Sequence, residues 1–382
     1  MDRKKYVCLI YEFLSEQGGL ERELINHANF LKEAGYEVEL LTCHLDPKIL
    51  TLLPFEGIKI REISLFKTKY EWLNLALCFI GLNKLNAINP DLFITYSFPT
   101  NYLIRNKKTK RINYVNHYPH FLYLSDDEKA EWADGTQGIK RKIVVWISRF
   151  LGVPLRALDR KLIKKNDLIL INSSFTKKKL DRLYNMNSIV SYPPLDKRFH
   201  PVEESIKEQF VFSSSRIIPD KKYEWLIEAM SFSKSKLPLY LAGSVEDSYK
   251  SKLMDFAKEK NVKVKFLGRL KTEEILAYYS SASVFAFPTP GEDFGLVPAE
   301  SLSCGTPVIV WNDGAGPTEQ ITDGVTGFLA KPYDKADFGK KIDLCIKSNL
   351  KKKNRNKIIS SASKFSYLGV KNSFLQEIAK VI

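Results

Sequence analysis

The stretch Val284 to Val310 constrains the fold of this chain more tightly than any other. An apolar run, Val284 to Phe287, gives way to Pro-Thr-Pro-Gly-Glu-Asp-Phe-Gly, then to a helix-compatible segment, then to a second apolar run, Pro307 to Val310. Short apolar runs bounded by turn residues read as buried strands. Pro298 falls near the start of the helical segment, where proline's missing N–H costs nothing. Strand, loop, helix, strand is an α/β crossover unit, and its loop lies at the carboxyl edge of a sheet, where such folds bind ligands. Glu292 and Glu300 flank the glycine turn Phe294-Gly295. The helix start offers N–H groups and a positive dipole end, which suit a phosphate. The two carboxylates can accept hydrogen bonds from hydroxyls. Phosphate with several hydroxyls describes a nucleotide sugar.

The same alternation extends along the whole chain. Strands are expected at 6–11, 36–42, 58–63, 91–95, 111–116 and 167–171. Between the first two, Leu20, Leu24, Ile25, Ala28, Leu31 and Ala34 have helical spacing, and Gly35 caps that helix. Another helix begins at Ser173. Tyr192-Pro-Pro-Leu-Asp and the polar residues after it mark a linker at about 193–208. A second alternation follows, with strands at 209–214, 238–242, 262–266, 284–287, 307–310 and 327–330. Its helices are expected at 221–233, 247–259, 272–280, 298–304 and 334–347, with two more between 350 and 382. The expected domains are 1–192, 209–365 and a C-terminal helix at 366–382. Two doubly wound sheets of this kind face each other across a cleft.

Composition narrows the class. The 382 residues are 44% hydrophobic and 27% charged, normal for a folded soluble protein. The longest apolar run, Trp72 to Leu82, has 11 residues and is interrupted by Asn74, against the roughly 20 needed to span a bilayer. No signal peptide is evident at the N-terminus. Five scattered cysteines suggest reduced thiols in the cytosol, with neither a zinc site nor a disulfide framework. The net charge of +15 is concentrated: residues 139–179 hold twelve Lys/Arg against Asp159 and Asp167. Such a run seeks phosphate-rich partners. Between Lys140 and Lys165 it is mixed with Trp146, Phe150, Leu151 and other apolar residues. That mixture fits an amphipathic helix at an anionic membrane surface, or an ordinary helix packed on the first sheet. Pro154 is expected to split it in two.

Three further motifs fall at expected strand ends. Gly18-Gly19 follows the first strand, where glycines let backbone approach a diphosphate closely or form a plain tight turn. Neither G-x-G-x-x-G nor G-x-x-x-x-G-K-[ST] is present, which argues against a nicotinamide or flavin site and against a P-loop. Arg216 and Lys221 flank a turn containing Pro219, and two cations there can grip a diphosphate leaving group. His117, in Asn-His-Tyr-Pro-His120, ends the strand 111–116. Its imidazole could orient a sugar hydroxyl or contact the reacting phosphate.

With these residues in view, the chain resembles the retaining glycosyltransferases of family 4, which have the GT-B fold. Gly291-Glu-Asp-Phe-Gly-Leu-Val-Pro-Ala-Glu300 resembles that family's E-x7-E signature. Ser215-Arg-Ile-Ile-Pro-Asp-Lys221 resembles its glycine-arginine…lysine turn, with Ser215 in place of the glycine. Phe266-Leu-Gly268, Gly305-Thr-Pro307 and Gly324-Val-Thr-Gly327 fall where the family has them. Gly18-Gly-Leu-Glu-Arg22, Tyr192-Pro-Pro194 and His117-Tyr-Pro119 are similar to the mannosyltransferase branch that acts on lipid-linked oligosaccharides.

The resemblance implies an acceptor-binding first domain, a nucleotide-sugar-binding second domain, and a C-terminal helix that crosses back to the first. It implies that Arg216 and Lys221 bind the donor diphosphate, Glu292 the sugar hydroxyls and Glu300 the ribose. Backbone N–H groups of Phe294, Gly295 and Leu296 would touch sugar or phosphates. Gly18 and Gly19 would close on the diphosphate, and His117 would sit near the transferred sugar. With no D-x-D motif, neither metal nor cofactor is expected, and the two cations take the metal's part. The expected activity is retaining transfer of a hexose from a nucleotide-diphosphate sugar to a lipid-linked or glycan acceptor at the cytoplasmic face of a membrane. GDP-mannose is the first donor and a UDP-sugar the second. A basic α/β nucleic-acid-binding protein and a sugar-nucleotide epimerase are the competing readings. The first lacks stacking aromatics or a reader fold among its basic residues, so no nucleic-acid partner is expected.

Overall fold

A computed structural model describes residues 3–15, 18–52, 55, 57–125 and 138–382. The chain divides into two compact units, one of Met1–Pro194 with Val370–Ile382 and one of Leu195–Gly369. Each is built on one parallel sheet.

In the first unit the strands are β1 (Tyr6–Leu14), β2 (Glu37–Leu45), β3 (Lys59–Glu62), β4 (Leu92–Tyr96), β5 (Lys110–Val115), β6 (Leu168–Ile171) and β7 (Ile189–Val190), in the order β3-β2-β1-β4-β5-β6-β7. Val7 to Ile10 and Leu92 to Ile94 are wholly buried, as strands covered on both faces must be. The order reverses between β1 and β4, so the loops leaving these two strands diverge and open a crevice. β7 has only two residues, too few for any periodicity to show, and it escapes the sequence reading. The Gly19–Glu33 helix ends where Gly35 takes φ 92°, with Tyr36 N–H bonded to Leu31 O. That left-handed residue is the glycine stop the sequence led us to expect.

In the second unit the strands are β8 (Val211–Ser214), β9 (Leu239–Ala242), β10 (Val264–Gly268), β11 (Val284–Ala286), β12 (Val308–Trp311) and β13 (Gly327–Ala330), in the order β10-β9-β8-β11-β12-β13. Here the reversal falls between β8 and β11. The helices Asp247–Glu259, Thr272–Ser281 and Lys335–Lys347 lie within a residue of their expected positions. The core on one face gathers Leu226, Leu241, Ala286, Ile309, Trp311 and Phe338.

Two features of the helices bear on function. Gly138–Ile163 is one helix of 26 residues with Pro154 inside it, contrary to the expected break. Proline removes a single i→i−4 bond. The far half of the helix is anchored by tertiary contacts: Leu162 and Ile163 are buried, and Asp159 accepts hydrogen bonds from Tyr123 (2.7 Å) and Tyr184 (2.6 Å). The second feature is the C-terminal helix, Tyr367–Ala379. From Val370 onward it belongs to the first unit. Phe374 stacks on His27 at 4.2 Å between ring centroids, and Lys371 pairs with Glu33 at 2.6 Å. All five cysteines are buried and unpaired. Among the described residues, no helix is long and apolar enough to cross a membrane.

Candidate functional site

The loops leaving β8 and β11 meet at the switch point of the second sheet. Backbone bonds from Ser215 N–H to Ala242 O and from Ile217 N–H to Ser244 O prolong the pairing beyond β8. They bring the loop hard against Gly243, where a Cβ would fall 1.7 Å from Ser215 O. Ser215 Oγ meets the Tyr223 hydroxyl at 2.8 Å. The chain then turns through Pro219–Lys221, a single 3₁₀ turn closed by Lys222 at φ 54°. This turn aims Lys221 across the switch point, where its Nζ lies 2.6 Å from Glu292 Oε2. Arg216 is exposed, and its guanidinium has no acceptor among the described residues.

The loop carrying Glu292 is pinned from below. Trp311 Nε1–H donates to Pro288 O (2.7 Å), Gly291 N–H to Asp313 Oδ2 (3.0 Å) and Gly316 N–H to Glu292 O (2.9 Å). Gln320 Nε2 donates to the carbonyls of Phe294 and Gly295 at 2.7 and 3.0 Å. With those carbonyls held beneath, the loop delivers its chain into the Leu296–Ser303 helix through Gly295, at φ 76°. The first N–H groups of that helix have no intrahelical acceptor. The Phe294 ring is buried edge-on against Phe365, so Phe294 anchors the loop and leaves only its backbone for a ligand.

Glu300 sits one turn into the helix and is 4% exposed. Its Oε2 accepts from the Tyr279 hydroxyl (2.9 Å), which lies 2.7 Å from Ser214 Oγ. Burial and the neighbouring Glu300 carboxylate push the Tyr279 phenol well above its usual pKa, so it serves as a donor. Arg216, Lys221, Glu292, Phe294, Gly295, Leu296 and Glu300 are thus gathered at one carboxyl edge. Tyr279, Gly243, Asp313 and Gln320 complete the framework and were not singled out from the sequence. Asp313-Gly314 could have been, because it follows the strand 307–310 at that same edge.

In the first unit, Gly18, Gly19 and His117 lie beyond the carboxyl ends of β1 and β5. The Gly18 N–H is engaged by Glu21 Oε2 at 3.0 Å, and the Tyr11 hydroxyl donates to the other Glu21 oxygen at 3.3 Å. The glycine turn is therefore capped by a carboxylate, where the sequence reading placed a diphosphate. His117 lies two residues past β5, its ring 5.4 Å from that of His120, and desolvation lowers its pKa. The same unit buries several titratable groups that sequence reasoning missed. Glu23 accepts from the Tyr114 hydroxyl at 2.5 Å, and burial raises its pKa to about 8. Burial also raises Glu12 to about 7 and lowers His27 to about 3, so that imidazole is neutral.

Residues 17–196 match the family model described as Glycosyltransferase Family 4, and residues 196–365 match that of Glycosyl transferases group 1. The D-inositol 3-phosphate glycosyltransferase of Mycobacterium sp. (strain JLS) is 25% identical over 369 residues, covering 86% of this chain and 77% of the relative. The alpha-1,3/1,6-mannosyltransferase ALG2 of Mus musculus is 24% identical over 366 residues, covering 82% and 81%. Among solved structures, Anabaena Alr3699/HepE in complex with UDP and glucose superposes with a TM-score of 0.74 at 17% identity, over 98% of this chain and 100% of the other. Sucrose-phosphate synthase from Thermosynechococcus elongatus gives 0.74 at 18% identity, over 99% of each.

Proposed function

We propose, from the premise that this chain belongs to glycosyltransferase family 4 and has the GT-B fold, that it transfers a hexose from a nucleotide-diphosphate sugar with retention of anomeric configuration. The acceptor is a lipid-linked or glycan hydroxyl at the cytoplasmic face of a membrane. GDP-mannose is the first donor candidate, in keeping with the mannosyltransferase relatives, and a UDP-sugar the second. One observation carries the reading. The Lys221–Glu292 pair, 2.6 Å apart, joins a phosphate-binding turn to a hydroxyl-binding loop across one switch point, beside an exposed Arg216 whose guanidinium has no acceptor among the described residues.

The chemistry follows from the charges. Breaking the anomeric C–O bond builds positive charge on the sugar ring and negative charge on the departing diphosphate. Cations and N–H groups already in place lower that barrier, because nothing has to reorganise as the charge develops. Arg216, Lys221 and the start of the Leu296–Ser303 helix supply this positive field, and the reaction on this reading needs no divalent ion. The ion pair with Glu292 holds Lys221 in position. On donor binding the ammonium turns to the phosphate and the carboxylate accepts from the sugar hydroxyls. Glu292 therefore positions the sugar and forms no covalent bond to it. In a front-face attack, the leaving phosphate takes the acceptor's proton. Exposure of Trp146 and Phe150, at 61% and 69%, supports attachment of the basic helix to an anionic membrane surface.

Purified Arg216→Ala and Lys221→Ala proteins should melt near the wild-type temperature and lose about 10²–10³-fold in turnover, the scale of losing a preorganised donor to developing charge. Near-normal transfer by either variant would sink the diphosphate assignment. Thermal shifts with GDP and UDP then decide the base, since a ligand that binds only the folded state raises its melting temperature.

A further inference from the structure

We propose a second anion site, for a small phosphate-bearing molecule, at the amino edge of the second sheet. It goes beyond the transfer reaction and does not depend on it. A cavity of about 540 Å³ opens there, lined by Lys207, Lys351, Lys352 and Arg355 against Glu204 and Glu208. Its lining also includes Gln209, Ser281 and Ser283, which precede β8 and β11. The donor residues follow those same strands, so the two sites lie at opposite ends of the sheet. The volume lies within the range of about 300–1,000 Å³ usual for small-molecule sites.

Charge defines the ligand. One of the two carboxylates, Glu208, is held by the Tyr240 hydroxyl. The other, Glu204, serves two cations at once, 3.0 Å from Lys351 Nζ and 2.8 Å from Arg355 Nη1, and is itself 49% exposed. Lys351 is the more enclosed of the two cations paired with Glu204, at 15% side-chain exposure against 29% for Arg355, and burial lowers its pKa. Four cations therefore face two carboxylates in this recess, with Lys351 half-buried inside and Lys207 and Lys352 exposed at its rim, so a dianion seated among them would meet uncompensated positive charge. Planar Arg355 with its fork of donors suits phosphate oxygens, and the lysines add point charge.

The cavity also touches the donor machinery through solid packing. Arg355 belongs to the helix Leu350–Ser361, which packs on Leu296–Ser303. Its Cγ lies 3.3 Å from where a Cβ on Gly305 would stand, at the carboxyl end of the helix whose amino end faces the donor.

Inorganic pyrophosphate is the probe, titrated by calorimetry into the full chain carrying Arg216→Ala and Lys221→Ala, so that the donor turn cannot report. Saturable binding should persist there. Adding Lys207→Glu and Lys352→Glu, both exposed positions, should weaken it at least tenfold with an unchanged melting temperature. Arg355→Lys should weaken it less. Loss of all pyrophosphate binding on disabling the donor turn alone overturns the proposal, as does binding indifferent to the two charge reversals.

Discussion

Lys221 and Glu292 were legible as residues because each follows a strand and carries a charge that a ligand phosphate or hydroxyl would complement. Their pairing was not, since 71 residues separate them and only the β8–β11 adjacency brings them together. Gly243 was invisible for the same reason. At φ 141°, with Ser215 O standing 1.7 Å from any Cβ, it admits no side chain. Gly243→Ala should cost about 2 kcal/mol or more of stability and abolish nucleotide binding, read by thermal melting with and without GDP or UDP. Glu23 makes a pH-dependent case. Its carboxyl titrates near 8 in the fold, against 4.5 for an exposed glutamate. The folded state therefore holds the proton more tightly, and the stability this gives is complete below about pH 4.5 and lost as pH rises through 8. Glu23→Gln should melt close to wild type at pH 5 and above it at pH 8. An equal gap at both values would mean that the carboxyl does not titrate in that window.

At the scale of elements, the sequence located strands and helices well because buried parallel strands are short apolar runs between turn residues. It failed where tertiary contacts override local preference. Pro154 should interrupt a helix, yet the Gly138–Ile163 helix runs through it, tied down at its far end by Asp159, Leu162 and Ile163. Its near end presents Trp146 and Phe150, with ring centroids 4.9 Å apart, to solvent. An aromatic pair left uncovered beside exposed Lys142 and Arg149 is the amphipathic arrangement a membrane interface selects. Trp146→Ser with Phe150→Ser should leave melting unchanged, because neither ring is buried. Sedimentation with vesicles containing anionic lipid should fall several-fold. Undiminished sedimentation would refute a membrane contact through this aromatic pair.

At the scale of the whole molecule, the C-terminal segment is the clearest case of long-range assembly. Phe374 lies flat on His27, and Val370 to Ile382 complete a unit that begins at the other end of the chain. Phe374→Ala should destabilise the first unit by about 3–5 kcal/mol, the usual cost of emptying a buried aromatic site. Urea unfolding should then show an early transition from that unit while the second unfolds as before. The sequence by itself determined the α/β class, the alternation of elements, and the residue types at strand ends that the family shares, because these depend on local periodicity and turn chemistry. Tertiary structure alone decided three things: that Glu292 meets Lys221, that Glu21 occupies the Gly18 N–H, and that Glu300 lies buried against Tyr279. Each depends on which strands become neighbours. That choice is set by how two sheets bury their faces, and no window of sequence contains it.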